Sequence, residues 1–139
     1  MFIDASVIVA ILGREPGYEE IEKRLASTDG PFFVSPLVKF EATVALAQQK
    51  AQGNAKPTGD LLLRALWVVE TFVEDLGADE VAISAQIGRS AIEAGAAYGR
   101  VVGQVADLNF GDCFAYACAK VLKVPLLYKG NDFAQTDLA

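Results

Sequence analysis

Histidine is absent from the 139-residue sequence, and cysteine occurs only twice. Without histidine, a Ser-His-Asp triad and metal sites built on paired histidines are excluded, and the most common general base is missing. On a helix, Cys113 and Cys118 would lie about 140° apart around the axis, so a disulfide between them is not expected. Two thiols without histidine also make a poor zinc site. We predict both cysteines to be small, buried apolar residues.

Long apolar runs and basic segments are also missing. No apolar run approaches the roughly 20 residues of a membrane span, and the N-terminus, Met1-Phe2-Ile3-Asp4, lacks the basic leader of a secretory signal. We therefore expect a cytoplasmic protein. The net charge of −6 disfavours a non-specific nucleic-acid-coating protein, because such proteins are usually basic. It does not exclude an acidic enzyme site in which a bound cation reverses the local charge.

Length and composition fit a single domain over residues 1–139, with 53% hydrophobic and 22% charged residues. Short apolar segments at 1–3, 32–34, 80–83 and 124–128 predict strands. Helical spacing of apolar residues separates these segments, and the alternation predicts an α/β fold with a mainly parallel sheet between helix layers.

Helices are predicted from capping residues and breaks in the pattern. Ser6, Ser35, Thr58, Ser84 and Asn109 each stand where a helix begins. The helices at 36–52 and 58–76, separated by a break at 53–57, form a predicted helical hairpin.

Four acidic residues stand where this fold would bring them together. Asp4 follows the first strand, and Glu41 lies in the helix that leaves the second. Asp112 lies in the first turn of the helix after Asn109, and Asp132 follows the last strand. In parallel sheets, ligands bind beyond the carboxyl ends of the strands, which is the edge these acids share.

Converging carboxylates repel one another and raise each other's pKa values, a penalty that a divalent cation removes. Oxygen donors without histidine favour Mg²⁺, or Mn²⁺, over zinc. A metal held by acids suits phosphodiester hydrolysis. Each acid also has a simpler structural explanation. Asp4 could cap a helix and Glu41 could be a solvated helix residue. Asp112 could be a favourable acid at a helix N-terminus, and Asp132 could form a turn. Chemistry alone does not rank Asp107 and Asp137 below them.

Other polar residues flank these acids. Ser6 could support its neighbouring aspartate or simply cap a helix, and Asn109 and Asn131 are further supporting candidates. Lys129 could contact phosphate or be a solvated loop lysine. Gly111 is unusual inside a helix and would either permit a close backbone approach or mark a later helix start.

Four sequence blocks resemble the VapC family of PIN-domain toxins, in order and spacing, across nearly the whole chain. They are residues 1–6 (MFIDAS), residues 35–37 (SPL) followed by Glu41, residues 108–113 (LNFGDC) and residues 129–133 (KGNDF). The third block is the most distinctive.

The resemblance implies a three-layer α/β/α PIN fold with a protruding helical hairpin. It places Asp4, Glu41, Asp112 and Asp132 in the catalytic site, with Asp4 and Asp112 as direct ligands of Mg²⁺. It also implies cleavage of single-stranded or loop RNA (tRNA, rRNA or mRNA), a homodimer, and inhibition by a cognate antitoxin, whose peptide would be clamped by the hairpin at 36–76. The chain departs from the family pattern at residues 136–139, where a final strand would be short or absent.

Other functions are possible on such a sheet. A receiver domain usually has an early pair of acids, whereas Asp4 stands alone. A haloacid-type phosphatase has a second aspartate two positions later, where this chain has Ser6. A catalytically inactive PIN-fold binding module and a PIN nuclease outside toxin–antitoxin systems remain the alternatives closest to the resemblance.

Overall fold

The computed structural model describes residues 1–53 and 55–139. Asn54, in the predicted break at 53–57, lies outside the described residues. The described part contains, in chain order, β1 (Phe2–Ile3), α1 (Ala5–Leu12), α2 (Tyr18–Ala26), β2 (Phe33–Val34), α3 (Pro36–Lys50), α4 (Gly59–Leu76), β3 (Asp79–Glu80), α5 (Ala85–Tyr98), a 3₁₀ helix (Arg100–Val102), α6 (Phe110–Leu122) and β4 (Leu126–Leu127).

The four strands form one parallel sheet in the order β3-β2-β1-β4. Phe2 in β1 is in register with Phe33 on one side and Leu126 on the other. The strand β1 lies inside the sheet, between β2 and β4. Both of its residues are apolar and fully buried, as is typical of a central strand in a parallel sheet. This arrangement confirms the predicted α/β fold with a parallel central sheet.

The strands are shorter than predicted, and one is shifted. The third strand covers Asp79–Glu80 and not 80–83, because the amides of Asp79 and Val81 donate to the carbonyls of Phe32 and Val34. Its two residues are exposed at the sheet edge. The fourth strand covers only 126–127 of the predicted 124–128. After it, the described residues 128–139 form turns and no further strand.

The predicted helix caps Ser35 and Asn109 are confirmed, and the predicted cap Ser6 is wrong. Helix α1 is capped by Asp4, as its alternative structural role predicted; its extended backbone precedes the helix and its side chain accepts the amide of Ser6. Ser6 lies in the first turn. The predicted helix starts Thr58 and Ser84 cap α4 and α5.

Helix α3 packs against α4 as the predicted hairpin, and α1 and α6 also contact α3. Helices α5 and α6 form the other large helix pair. Cys113 and Cys118 are buried and free, as predicted. In the part of the chain that is described, no helix is both long enough and apolar enough to cross a bilayer.

Candidate active site

An open pocket of about 600 Å³ lies where β1, β4, α3 and α6 meet. All four predicted acids line it, together with the supporting candidates Ser6 and Asn109 and the candidate phosphate-binding residue Lys129. Its lining consists of Asp4, Ala5, Ser6, Val9, Glu15, Phe40, Glu41, Val44, Ala45, Gln48, Asn109, Asp112, Lys129, Gly130 and Asp132.

Asp4 is held at the carboxyl end of β1 by its neighbours. Its amide donates to the carbonyl of Leu127 in β4 (2.9 Å). Its Oδ2 accepts the amide of Ser6 at 3.0 Å and the hydroxyl of Ser6 at 2.5 Å. The hydroxyl oxygen of Ser6 also accepts the amide of Lys129 at 3.0 Å. Ser6 therefore joins the end of β1 to the loop that follows β4.

Asp112 is positioned by a capping box at the start of α6. Its amide donates to Oδ1 of Asn109 (2.9 Å), and its Oδ2 accepts the amide of Asn109 (2.8 Å). The reciprocal pair satisfies two helix-end amides and orients the carboxylate. The simple structural role and the predicted site role of Asp112 therefore coexist.

Glu41 on α3 reaches the first turn of α6. A Cβ atom at Gly111 would overlap the carboxylate of Glu41, so the glycine permits this close approach between α3 and α6. Helix α6 begins at Phe110, and the alternative of a later helix start is therefore wrong.

Asp132 and Asn131 lie in the turn after β4. Asp132 is exposed, but its charge contributes to the raised pKa values of Asp4 and Asp112, which places it within electrostatic range of both. Asn131 is exposed and does not line the pocket. Its supporting role stays a prediction.

The pocket concentrates negative charge without neutralising it. Burial, and then repulsion from Asp4 and Asp112, raises the pKa of Glu41 to about 7. Burial also raises the pKa of Asp112 to about 6 and raises that of Asp4, despite the hydrogen bonds from Ser6. Among the described residues, none of the four predicted acids forms an ion pair. Uncompensated acids with raised pKa values are typical of a cation-binding or catalytic site.

Lys129 is not a free solvated lysine. Its ammonium pairs with Glu15 at 2.5 Å, and Glu15 also accepts a hydrogen bond from Gln49 on α3 (2.8 Å). The contact with Lys129 lowers the pKa of Glu15. Sequence analysis did not single out Glu15, because nothing local to it indicates a partner more than a hundred positions away.

The two alternative acids lie outside the pocket lining and are paired with cations. Asp107 accepts two hydrogen bonds from Arg100, at 2.8 and 3.0 Å. Asp137 accepts from the hydroxyl of Tyr116 and the ammonium of Lys120, both at 2.7 Å. The structure therefore separates both from the four pocket acids, a distinction that chemistry alone had left open.

The carboxylate oxygens of the pocket fit a hard divalent cation that keeps much of its hydration shell. Within residues 1–53 and 55–139, no group of three or more His, Cys, Asp or Glu side chains is close enough together to hold a metal ion. Mg²⁺ usually keeps several waters and uses only one or two protein carboxylates. Asp4 and Asp112 remain the predicted ligand pair, each fixed through Oδ2 by the hydrogen bonds given above.

The chain is similar to known proteins over nearly its whole length. Residues 1–138 match the family model of the PIN domain. A VapC ribonuclease of Rhizobium meliloti is 52% identical over 139 residues, covering 99% of this chain and 98% of that protein. Ribonuclease VapC42 of Mycobacterium tuberculosis is 32% identical over 138 residues, covering 99% and 96%.

Two solved structures share the fold at low sequence identity. VapC20 of Mycobacterium tuberculosis, described as a toxin that cleaves the sarcin-ricin loop, superposes with a TM-score of 0.71 and 15% identity, covering 99% of this chain and 97% of that one. A chain of a toxin–antitoxin complex from Klebsiella pneumoniae superposes with a TM-score of 0.66 and 14% identity, covering 98% and 92%. Their similarity supports the predicted PIN fold.

Proposed function

The chain belongs to the VapC family of PIN-domain proteins, and on that premise we propose that it is a divalent-metal-dependent endoribonuclease, the toxin of a toxin–antitoxin pair. The observation that carries the proposal is the convergence of Asp4, Glu41, Asp112 and Asp132 on one pocket without a cationic partner. The names of the relatives support ribonuclease activity.

Each acid has a proposed role that follows from its surroundings. Asp4 and Asp112, held by Ser6 and Asn109, would bind Mg²⁺ or Mn²⁺. Such an ion supplies a Lewis acid for the phosphate and lowers the pKa of water. Glu41, with a pKa of about 7, would accept a proton from the attacking water. Asp132, exposed on the opposite loop, would orient that water.

The proposed substrate is single-stranded or loop RNA, from tRNA, rRNA or mRNA, and an RNA target places the activity in the cytoplasm.

The proposed partner is an antitoxin peptide lying along α3 and α4, where Phe40, Leu63 and Trp67 expose about two-thirds of their surface. Phe40 also lines the pocket. A peptide on this surface would therefore reach the carboxylates, where an arginine could pair with them.

We also propose a homodimer, as the family resemblance implies. Sedimentation equilibrium measures this directly, and a monomer at micromolar concentration would contradict it.

The test of the activity replaces metal-ligand carboxylates by amides. We expect Asp4→Asn and Asp112→Asn each to reduce metal-dependent cleavage of bulk tRNA or rRNA at least a hundredfold, because the amide removes the charge that holds the cation. Circular dichroism should stay near wild type, and the metal-free melting temperature should not fall. Asp60→Asn, at an exposed position of α4, is the matched control and should cleave normally.

The alternative of an inactive binding module makes the opposite prediction for the wild-type protein. Wild-type protein that binds no Mn²⁺ by calorimetry and cleaves none of these RNAs would favour the module. Full activity in either aspartate variant would show that the assigned ligands are wrong.

A further inference from the structure

The proposed substrate is a polyanion, whereas the pocket and the whole chain are acidic. An RNA strand in that pocket therefore needs cations for the phosphates beside the one that is cleaved. Lys129 lines the pocket but is already paired with Glu15. A second cation, Arg100, begins the 3₁₀ helix between α5 and α6 and lies within electrostatic range of Asp112 and Asp132. The inference drawn from it rests on the proposed nuclease function.

Backbone hydrogen bonds tie Arg100 to the start of α6. Its amide donates to the carbonyl of Leu108 (2.9 Å), and the amide of Leu108 donates to the carbonyl of Tyr98 (3.1 Å). Leu108 directly precedes Asn109, the cap that orients Asp112. The hydrogen bonds to Asp107 raise the pKa of Arg100, and the charges of Asp112 and Asp132 raise it further. The backbone of Arg100 is therefore fixed to the same segment as a predicted metal ligand, and its guanidinium lies within electrostatic range of two pocket acids.

The side chain of Arg100 is held in a defined direction. One carboxylate oxygen of Asp107 accepts from Nε at 3.0 Å and from Nη2 at 2.8 Å. These contacts use two of the five guanidinium N–H groups. The side chain stays 63% exposed, so donors remain available to a second acceptor.

Asp107 adopts the left-handed backbone conformation, with φ of +54°, which aspartate enters more readily than most residues with a side chain. An exposed ion pair contributes little to folding stability, so stability alone does not account for holding Arg100 in this way. Residues held in the left-handed region cluster at functional sites.

We propose that Arg100, oriented by Asp107, binds a backbone phosphate of the RNA strand beside the carboxylate pocket. Guanidinium groups suit this role because they bind phosphate oxygens with a planar pair of donors. Arg100 is therefore a substrate-binding residue and takes no part in proton transfer.

The experiment measures binding and cleavage of one RNA by charge-matched variants. A fluorescein-labelled single-stranded RNA of mixed sequence is titrated in Ca²⁺ by anisotropy at several salt concentrations, and its cleavage is followed in Mn²⁺. For Arg100→Ala we expect binding weakened about tenfold, a salt slope reduced by about 0.7, and a raised KM with kcat little changed. The control is Arg89→Ala, which removes a more exposed arginine on α5 that is paired with Glu93, and it should match wild type.

A further variant covers the possibility that Arg100→Ala does not fold. Arg100→Lys keeps the positive charge and should keep the wild-type salt slope while weakening binding, because it loses the paired donors. Equal binding and KM in Arg100→Ala and Arg89→Ala would overturn the role of Arg100, as would a loss of salt slope in Arg100→Lys. If the wild-type protein neither binds nor cleaves the RNA, the proposed function itself fails, and the role of Arg100 fails with it.

Discussion

Ser6 shows how one hydroxyl can order several parts of a site. Its hydroxyl donates to Asp4 and accepts from the amide of Lys129, so a single side chain positions a predicted metal ligand and the loop that carries Asp132. A separate contact, in which the backbone amide of Ser6 donates to Asp4, makes Asp4 the cap of α1. The structural role and the proposed functional role therefore coincide at Asp4, as they do at Asp112.

The raised pKa values of the pocket acids make folding stability depend on pH and on metal. Because Asp4, Glu41 and Asp112 have higher pKa values in the folded state than in the unfolded chain, the folded protein binds more protons between about pH 4 and pH 7. The free energy of unfolding contributed by these groups is therefore present at low pH and is lost as pH rises through that window. Three other acids, Glu15, Asp107 and Asp137, have lowered pKa values. They change the free energy of unfolding only at lower pH, as the pH falls below their ordinary pKa values of 3.8 to 4.5.

We therefore expect the metal-free protein to melt at a lower temperature near pH 7.5 than near pH 5.5. Adding Mg²⁺ or Mn²⁺ should raise the melting temperature at the higher pH and have less effect at the lower, where Glu41 and Asp112 hold protons more strongly. Differential scanning calorimetry in EDTA and in metal measures both effects. A Glu41→Gln, Asp112→Asn double variant should show a flatter pH profile. A metal-free melting temperature that rises between the two pH values would contradict the buried-acid account.

At the scale of secondary-structure elements, the approach of α3 to α6 decides where Glu41 lies. Gly111 is the point of contact, because the carboxylate of Glu41 occupies the space of a Cβ atom there. The carboxylate of Glu41 can therefore keep its position in the pocket only while position 111 has no side chain.

Gly111→Ala separates activity from stability at this contact. Alanine favours the helix by up to about 1 kcal/mol, and the flexible end of Glu41 can move aside, so we expect the free energy of unfolding to change by less than about 1 kcal/mol. Cleavage should fall at least tenfold, because the displaced carboxylate leaves its position. Gly88→Ala is the control, since a Cβ at Gly88 on α5 meets nothing within 4 Å. An active Gly111→Ala variant would show that the position of Glu41 is unimportant.

Elements that depend on local contacts were predictable from the sequence. The caps Ser35, Thr58, Ser84 and Asn109 bond to amides within three residues, so their positions are readable from the chain itself. Strand boundaries were less predictable, because pairing with distant carbonyls decides where β3 begins.

The site was predictable in part for the same reason. Asp4, Asp112 and Asp132 follow strands or lie in the first turn of a helix, Glu41 lies in the second turn of a helix, and the family resemblance marked all four. The pairing of Lys129 with Glu15 and of Arg100 with Asp107 leaves no pattern in the sequence, because side-chain partners over such loops depend on the finished fold.

At the scale of the whole molecule, the proposed partner and the proposed RNA substrate bind to different surfaces, and the partner binds the exposed apolar surface of the hairpin. Trp67 is the only tryptophan in the chain and is 69% exposed. Its fluorescence therefore reports on the hairpin surface alone. Phosphate contacts with RNA would be made elsewhere, near the carboxylate pocket.

We expect the emission of Trp67 to shift to shorter wavelength when the product of an adjacent antitoxin-like reading frame binds, because the indole leaves water. A tryptophan-free version of that partner keeps the signal specific. Trp67→Ala should weaken the complex at least tenfold, as loss of a central aromatic anchor does, and should leave RNA cleavage unchanged. Unchanged emission in a complex that forms normally would place the docking surface elsewhere.

The pairing of β1 with β4 also has a consequence for the timing of synthesis. Asp4 and its amide partner Leu127 are separated by more than a hundred residues of synthesis, and so are Asp4 and the pocket residue Asp132. A nascent chain therefore carries its carboxylates in separate pieces until the segment that contains β4 has been made. The four-acid pocket can form only after Asp132 has been translated, so shorter nascent chains lack it.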